Sequence, residues 1–352
     1  MAKVAVVGVV GRTNAGKSTL VNALVGEKVS IVSPVEQTTR NTVRGIVADP
    51  RGQLVLLDTP GLHKAVGTLG TLLNRMARRS AAGVDVTCVV FDASEEPQLE
   101  DIGWMQRIAR ERPGKVVFVL NKADRAPFFE TMFRDAWKES SRVQEFKSSR
   151  EQESSGIQEF KGSREQENKG SREQEEAGAK EIEPLNPGTF EPVWIKCIAT
   201  TQGGAKPVLD ALFDFAEEGE KLFDDDIVTD YPRKLTIADS IREKYLAKLH
   251  QELPHELGVV VKNVNEHPKA VRGVKGPHWE VTADILVNRA SQKPIVIGRG
   301  AETIKYVRKC AERELSDIFG VKVMLELWVR VEPNWMKNER LLAEMGYLGE
   351  LV

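Results

Sequence analysis

Lys3-Val-Ala-Val-Val-Gly-Val-Val10-Gly11-Arg-Thr-Asn-Ala-Gly16-Lys17-Ser18-Thr19 decides how the chain begins to fold. A β-branched apolar run ends at Gly11, and Gly16-Lys17-Ser18 opens a helical pattern over Lys17–Val25. This is G-x-x-x-x-G-K-[ST] between a strand and a helix, where backbone N–H groups curl around phosphate oxygens at a helix N-terminus. In that setting Lys17 reaches the β- and γ-phosphates, and the Ser18 hydroxyl ligates Mg²⁺. Gly11, Arg12, Thr13, Asn14, Ala15, Gly16, Lys17, Ser18 and Thr19 thus form a candidate nucleoside triphosphate loop, silent on the base.

Further strands are expected at Gln53–Asp58, Asp85–Asp92, Lys115–Asn121 and Val193–Ile198, with a helix at Leu69–Ala82. Short apolar runs alternating with helices describe an α/β fold, a mostly parallel sheet buried on both faces with right-handed crossovers. Two strand ends carry chemistry, as open α/β sheets require. Asp58-Thr59-Pro60-Gly61-Leu62 offers Asp58 to hold Mg²⁺ through water and the Gly61 N–H to the γ-phosphate. Asn121-Lys122-Ala123-Asp124 offers a carboxylate that accepts from guanine N1–H and N2–H₂, an arrangement adenine lacks. A buried acceptor left unpaired by the wrong base supports discrimination of about 10⁴-fold. Thr38 and Thr39 are both candidates for the threonine that closes over Mg²⁺ and is released on hydrolysis; the sequence leaves the pair open.

A chain of 352 residues suggests about two domains. No apolar run of about 18 residues is present, which excludes a spanning helix. Nothing at the N-terminus reads as a signal or transit segment, and three cysteines (Cys88, Cys197, Cys310) are too scattered for a disulfide framework, so a cytosolic setting is expected. Each cysteine reads as a small apolar core residue. The net charge of −2 hides a C-terminal third, residues 231–352, with 20 basic against 16 acidic side chains. Residues 139–188 repeat Gln-Glu-Phe-Lys and Ser-Arg-Glu-Gln-Glu with almost no aliphatics, a composition that cannot bury enough surface to order itself. Residues 217–230 read as an acidic linker. Beyond them the pattern is α-β-β-loop-α-β-α, a compact α+β domain.

The order of P-loop, Gln37-Thr-Thr-Arg40, Asp58-Thr-Pro-Gly61 and Asn121-Lys-Ala-Asp124 resembles GTPases of the Era family. The similarity continues through Arg242-Glu-Lys244, Glu252-Leu-Pro254, Val296-Ile-Gly298, Leu325-Glu-Leu-Trp328-Val329, Asn334-Trp335, Glu339-Arg340 and Met345-Gly-Tyr347. It spans nearly the whole chain except residues 139–188. The resemblance implies a GTPase domain over residues 1–216 and a type II KH domain over 231–352. It further implies binding of GTP and GDP, binding of the 3′ region of 16S rRNA, and a role in rRNA processing and 30S subunit biogenesis. A monomer in the cytoplasm, with peripheral contact to the inner membrane, is implied on the same ground.

Against the family pattern, Leu62 stands where many small GTPases carry a water-orienting glutamine, which predicts slow intrinsic hydrolysis. Asn14 resembles the asparagine that holds K⁺ between phosphates in related GTPases. Ala199-Thr200 occupies the position of a Ser-Ala guanine loop, so a bracing serine hydroxyl is missing there. Gly298-Arg299-Gly300-Ala301 stands as the G-x-x-G loop that clamps nucleotide backbone in KH domains, with Ala301 expected to begin the following helix. Arg299, Lys305, Arg308 and Lys309 surround it as candidate phosphate contacts. Trp328 reads as core, and the five histidines show no metal spacing, with His63 beside the γ-phosphate loop. Two functions fit: a GTP-hydrolysing switch that moves the KH domain, and an RNA-binding scaffold holding GTP as a structural ligand with negligible turnover.

Overall fold

The computed structural model describes residues 1–32, 40–60, 83–142, 191–249, 253–270 and 274–347. Residues 1–219 build a seven-stranded sheet. Its strands are β1 (Ala2–Val10), β2 (Val43–Asp49), β3 (Gly52–Asp58), β4 (Val86–Asp92), β5 (Val116–Asn121), β6 (Val193–Lys196) and β7 (Glu217–Gly219). The spatial order is β2-β3-β1-β4-β5-β6, parallel from β3 to β6, with β2 antiparallel at the edge and β7 antiparallel to the start of β1.

Every residue of β4 is buried, because helices cover both sheet faces. On one side Val7, Val9, Cys88, Val90, Val117 and Val119 pack with Leu20 and Val21 of helix Lys17–Val25 and with Val208 and Leu212 of helix Lys206–Phe215. On the other, Phe91, Phe118 and Leu120 meet Trp104 and Ile108 of helix Leu99–Glu111, together with Phe133 and Trp137. Phe118 takes edge-on contacts from Trp137 at 5.1 Å and Trp194 at 4.9 Å, the geometry its ring quadrupole favours.

Strand β2 had no counterpart among the expected strands. Gly45 interrupts its pattern and lies where an added Cβ would stand 2.8 Å from a Val25 methyl, so close packing on helix Lys17–Val25 excludes a side chain there. The acidic stretch read as a linker is docked on the sheet. Beyond β7, the Gln53 side chain accepts from the Leu222 and Phe223 N–H groups at 2.9 and 3.0 Å and donates to the Phe223 carbonyl at 2.8 Å. The Ile46 N–H donates to the Val228 carbonyl at 2.9 Å, and the Thr229 hydroxyl donates to the Arg44 carbonyl at 2.6 Å. Main-chain pairing holds the strap while several of its carboxylates stay in water, which a charge count does not reveal. Residues up to 142 belong to a helix beginning at 130, so the start of the repeat-bearing insertion is helical; residues 143–190, like the expected helix at Leu69–Ala82, lie outside the described residues.

The C-terminal unit has a three-stranded sheet, β10 (Lys322–Val331), β9 (His278–Val287), β8 (Gly258–His267), parallel between β10 and β9 and antiparallel between β9 and β8. Helices Arg233–Lys248 and Glu302–Phe319 cover one face, burying Ile241, Tyr245, Val307, Ala311 and Leu315 against Val261, Ala283, Ile285 and Leu325. The opposite face is partly roofed by Trp335, Leu341, Leu342, Met345 and Tyr347 on Val260 and Leu286. Trp328 is on that outer face and 58% exposed, against the expectation of a core residue. The parity of β10 explains it: Val323, Leu325 and Val329 point inward, and successive side chains alternate. Among the described residues no helix is long and apolar enough to cross a membrane.

Candidate functional site

The loop between β1 and helix Lys17–Val25 lies across the ends of β3, β4 and β5. Gly16 adopts φ +95°, and a Cβ there would sit 2.2 Å from Asn121 Nδ2, so only glycine lets Asn121 close on the loop. Asn14 takes φ 62°, a left-handed conformation asparagine tolerates. Lys17 is buried, and its ammonium donates to the Arg12 carbonyl at 2.7 Å. Burial pulls its pKa down to about 8, partly offset by the neighbouring carboxylates of Asp58 and Asp101. A buried cation at the N-terminus of a helix is a ready partner for phosphate.

Asp58 is fully buried at the end of β3, and neither carboxylate oxygen has a hydrogen-bond partner of good geometry. Burial drives its pKa up, while Ser18, Lys17 and Ser30 pull it back. An orphaned carboxylate beside a serine hydroxyl is a poor neutral core but a good half-shell for a hard, oxygen-seeking cation such as Mg²⁺. The Thr59 hydroxyl donates to the Val9 carbonyl at 3.0 Å, tying the ends of β3 and β1 together, and Pro60 is buried beside it. The Arg12 side chain pairs with Glu95 at 2.8 Å and reaches Asp101 at 3.4 Å. Its guanidinium is therefore committed to protein carboxylates. Asp101, buried beside it, has its pKa pushed up to about 6, chiefly by desolvation.

On the base side Asn121 is the hub. Its amide donates to the Ala15 carbonyl at 3.0 Å, and its Oδ1 accepts from the Ala199 N–H at 3.2 Å, joining the phosphate loop to the loop after β6. Lys122, at φ 60°, forms an ion pair with Asp92, whose carboxylate also accepts from the Ser94 hydroxyl at 2.6 Å. The Ala123 N–H donates to the Cys197 carbonyl at 3.2 Å, which leaves Asp124 exposed at the rim. Ala199 is buried and Thr200 exposed. The bracing hydroxyl that seemed missing is supplied by Thr201, which donates to the Ile198 carbonyl at 3.1 Å. Thr38, Thr39, Gly61, Leu62 and His63 lie outside the described residues.

The residues next to Thr38 and Thr39 connect this site to the C-terminal domain. Arg40 is fully buried and donates to the Leu257 carbonyl at 3.1 Å. The Asn41 amide donates to the Tyr231 hydroxyl at 2.8 Å and to the Met345 carbonyl at 3.1 Å, and Tyr231 donates to Asp239 at 2.8 Å. Lys28 pairs with Glu243 at 2.6 Å and Glu314 at 3.0 Å, and Glu243 accepts from the Val32 N–H at 3.0 Å. Glu243 and Met345 fall inside the motif segments Arg242–Lys244 and Met345–Tyr347, whereas Leu257, Tyr231 and Glu314 belong to none of the sequence motifs.

In the C-terminal domain the loop Gly298–Ala301 follows helix Lys293–Ile297. Gly298 has φ +78°, and a Cβ would meet Thr303 Oγ1 at 2.3 Å. Ala301 does not begin the helix: it is left-handed, φ 61° and ψ 28°, and the helix starts at Glu302. The chain reverses through Gly300 and Ala301, with the Ala301 N–H donating to the Gly298 carbonyl at 3.0 Å, and alanine accepts a cost of about 1–2 kcal/mol for the left-handed turn. Lys305 donates to the Gly300 carbonyl at 3.2 Å, bracing the turn. Arg299 and Lys309 are exposed beside it, and Arg308 lies 3.9 Å from Glu312. Pro294, Ile295 and Ile297 line an open groove next to the loop.

Residues 6–122 match the family of 50S ribosome-binding GTPases, and residues 252–336 match the KH domain family. Over 97% of its length the chain is 32% identical to the GTPase Era of Rippkaea orientalis, covering 91% of that protein. It is 31% identical to the GTPase Era of Fusobacterium nucleatum over 99% of this chain and 100% of that one. A crystal structure of Era in complex with MgGDPNP and nucleotides 1506–1542 of 16S ribosomal RNA superposes with a TM-score of 0.78 at 27% identity, covering 99% of each chain. A variant of Aquifex aeolicus Era bound to GDP·AlF4⁻ gives a TM-score of 0.74 at 28% identity, covering 98% of this chain and 99% of that one. With P-loop, guanine-side loops and KH loop all in place on one continuous chain, the protein belongs to the Era family of GTPases.

Proposed function

We propose that the chain hydrolyses GTP as a switch on binding the 3′ region of 16S rRNA, and so acts in maturation of the small ribosomal subunit. The observation that carries this reading is the burial of Arg40 and Asn41 against the KH domain, directly after Gln37-Thr38-Thr39. A segment that rearranges around the γ-phosphate must pull on residues seated under Leu257 and Met345, so nucleotide state and KH position share one element. Lys17 and the P-loop N–H groups hold the phosphates. Asp58 and Ser18 fit Mg²⁺, with Thr38 or Thr39 as the further ligand, and when bound the ion neutralises developing charge on the transferring phosphoryl group. Asp124 reads guanine, and Asn121 keeps the Ala199–Thr200 loop in reach of the base. Leu62 in place of a water-orienting side chain makes intrinsic turnover slow. The exposed Asn14 amide at the loop crest supports a K⁺ role there, read as faster hydrolysis in K⁺ than in Na⁺.

At the KH loop, Arg299, Lys305, Arg308 and Lys309 meet backbone phosphates while bases lie along the Ile295–Ile297 groove. The test is multiple-turnover phosphate release with and without an oligonucleotide of the rRNA 3′ end, for the parent chain and Asn41→Ala. Stimulation by RNA that is lost in Asn41→Ala, with GDP affinity kept, is the expected result. Tight GTP binding with RNA-independent, negligible turnover defeats the switch and leaves the scaffold reading.

A further inference from the structure

Ten residues separate His267 from His278 in sequence, and the antiparallel register of β8 and β9 sets them directly opposite one another. Their rings stack with centroids 4.8 Å apart and planes 24° apart. Glu280, two residues along β9 and therefore on the same face, brings a carboxylate oxygen to 3.5 Å from His267 Nε2 and another to 4.0 Å from His278 Nε2. One donor atom from each of the three residues lies within 4.8 Å of the others.

The protonation pattern is set locally. His278 is completely buried, and its Nδ1 stands 3.2 Å from the Gly276 carbonyl, which can only accept. Nδ1 therefore carries the hydrogen in the tautomer that leaves Nε2 with a bare lone pair. The Nε2 atoms of both His278 and His267 are buried without a hydrogen-bond partner. Two unsatisfied imidazole nitrogens and a carboxylate converging on one point are unfavourable as a packed cluster. The same three groups suit a cation, and an outer ring nitrogen fixed on a backbone carbonyl is how protein sites orient a metal-binding histidine.

We propose that His267, His278 and Glu280 form a binding site for a divalent transition-metal ion of the Zn²⁺ class. Two imidazole nitrogens and one carboxylate favour Zn²⁺ over Mg²⁺ or Ca²⁺, which prefer all-oxygen shells. Donors about 2.0–2.1 Å from a tetrahedral ion stand roughly 3.4 Å apart, so side-chain shifts of about 1 Å close the site. His267 and Glu280 are partly exposed, at 27% and 31%, and give the ion its entry and a water its place. The site sits where β9 begins, while the KH loop follows the far end of that strand, roughly 30 Å away at 3.3 Å per residue. The ion would clip the two strand ends at the β8–β9 connection, independently of the nucleotide and RNA sites.

The experiment uses the full chain with saturating Mg²⁺ and GDP, so that the phosphate site is filled. Zn²⁺ is titrated against a chromogenic chelator, and Co²⁺ by its visible absorption, which reports coordination directly. We expect one equivalent bound with a Kd of about 1 µM or tighter, visible Co²⁺ bands, and a raised melting temperature with Zn²⁺. His267→Gln and Glu280→Gln should each weaken binding by about tenfold or more while leaving the metal-free melting temperature and GDP affinity unchanged. Binding that is unchanged in the doubly substituted chain, or a Kd above about 100 µM without Co²⁺ bands, overturns the proposal. A variant that fails to fold is replaced by diethyl pyrocarbonate labelling of the parent chain. Protection of His267 by Zn²⁺ supports the site, and equal labelling with and without Zn²⁺ refutes it.

Discussion

Replacing Asn121 with alanine tests the geometry that joins the phosphate and guanine loops. The side chain is 3% exposed and makes two hydrogen bonds, to the Ala15 carbonyl at 3.0 Å and from the Ala199 N–H at 3.2 Å. Alanine removes both, and the orphaned partners belong to residues that are themselves buried, at 0% and 7% exposure. Each stranded backbone group costs about 1–3 kcal/mol, so the folded chain should lose about 2–6 kcal/mol, less whatever water recovers. The space left beside Gly16, whose absent Cβ accommodates the amide, lets the P-loop relax away from its register. Every 1.4 kcal/mol of misalignment is about tenfold in affinity. Urea unfolding monitored by tryptophan fluorescence and a fluorescent-GDP titration read the two effects. A stability loss of about 2 kcal/mol or more, with GDP affinity down by at least about tenfold, is expected. Affinity within threefold of the parent, at a stability within about 0.5 kcal/mol, would show that the two loops hold their positions without Asn121 and refute the reasoning.

Three further outcomes rest on burial and backbone geometry. Lys17 has a native pKa of about 8 against an ordinary 10.5; between those values the unfolded chain holds the proton that the native one has released, so stability of the nucleotide-free protein should rise with pH across that window. Chemical denaturation at pH 7.5–10 should show the rise in the parent and its absence in Lys17→Met. Gly298→Ala places a methyl 2.3 Å from Thr303 Oγ1 at φ +78°, and about a tenfold or greater loss of rRNA oligonucleotide affinity with GDP binding intact is expected by fluorescence anisotropy. Cys88 and Cys197 are buried, with thiols pushed up to about 12 and about 11 by desolvation, whereas Cys310 is half-buried. Mass spectrometry after brief alkylation at pH 8 should therefore find Cys310 labelled first and the other two only on unfolding.

Most secondary-structure boundaries were legible because they rest on near neighbours. Helix Lys17–Val25 coincides with its expected span, and strands β1, β3, β4, β5 and β6 differ from theirs by one or two residues at their ends. Where reading failed, the deciding contact was distant or stereochemical. The strap at 217–230 looked like a linker because its charges are visible and its backbone pairing to Gln53 and Ile46 is not. Ala301 looked like a helix start because alanine favours helices, yet the reversal through Gly300 sets it left-handed. Trp328 looked like core by its type, and the parity of β10 turned it outward.

The phosphate loop, the two strand-end motifs, the guanine preference and the KH loop were determined by the sequence itself. Each is a short run whose function depends on local backbone geometry and on glycine where no Cβ fits. Only the tertiary structure decided that Asn121 bridges Ala15 to Ala199, that Arg40 and Asn41 are buried against Leu257 and Met345 of the KH domain, and that His267, His278 and Glu280 meet. Those partners are chosen by strand order, register and domain docking, which place residues far apart in the chain within hydrogen-bond reach and leave no periodic trace in the residues between.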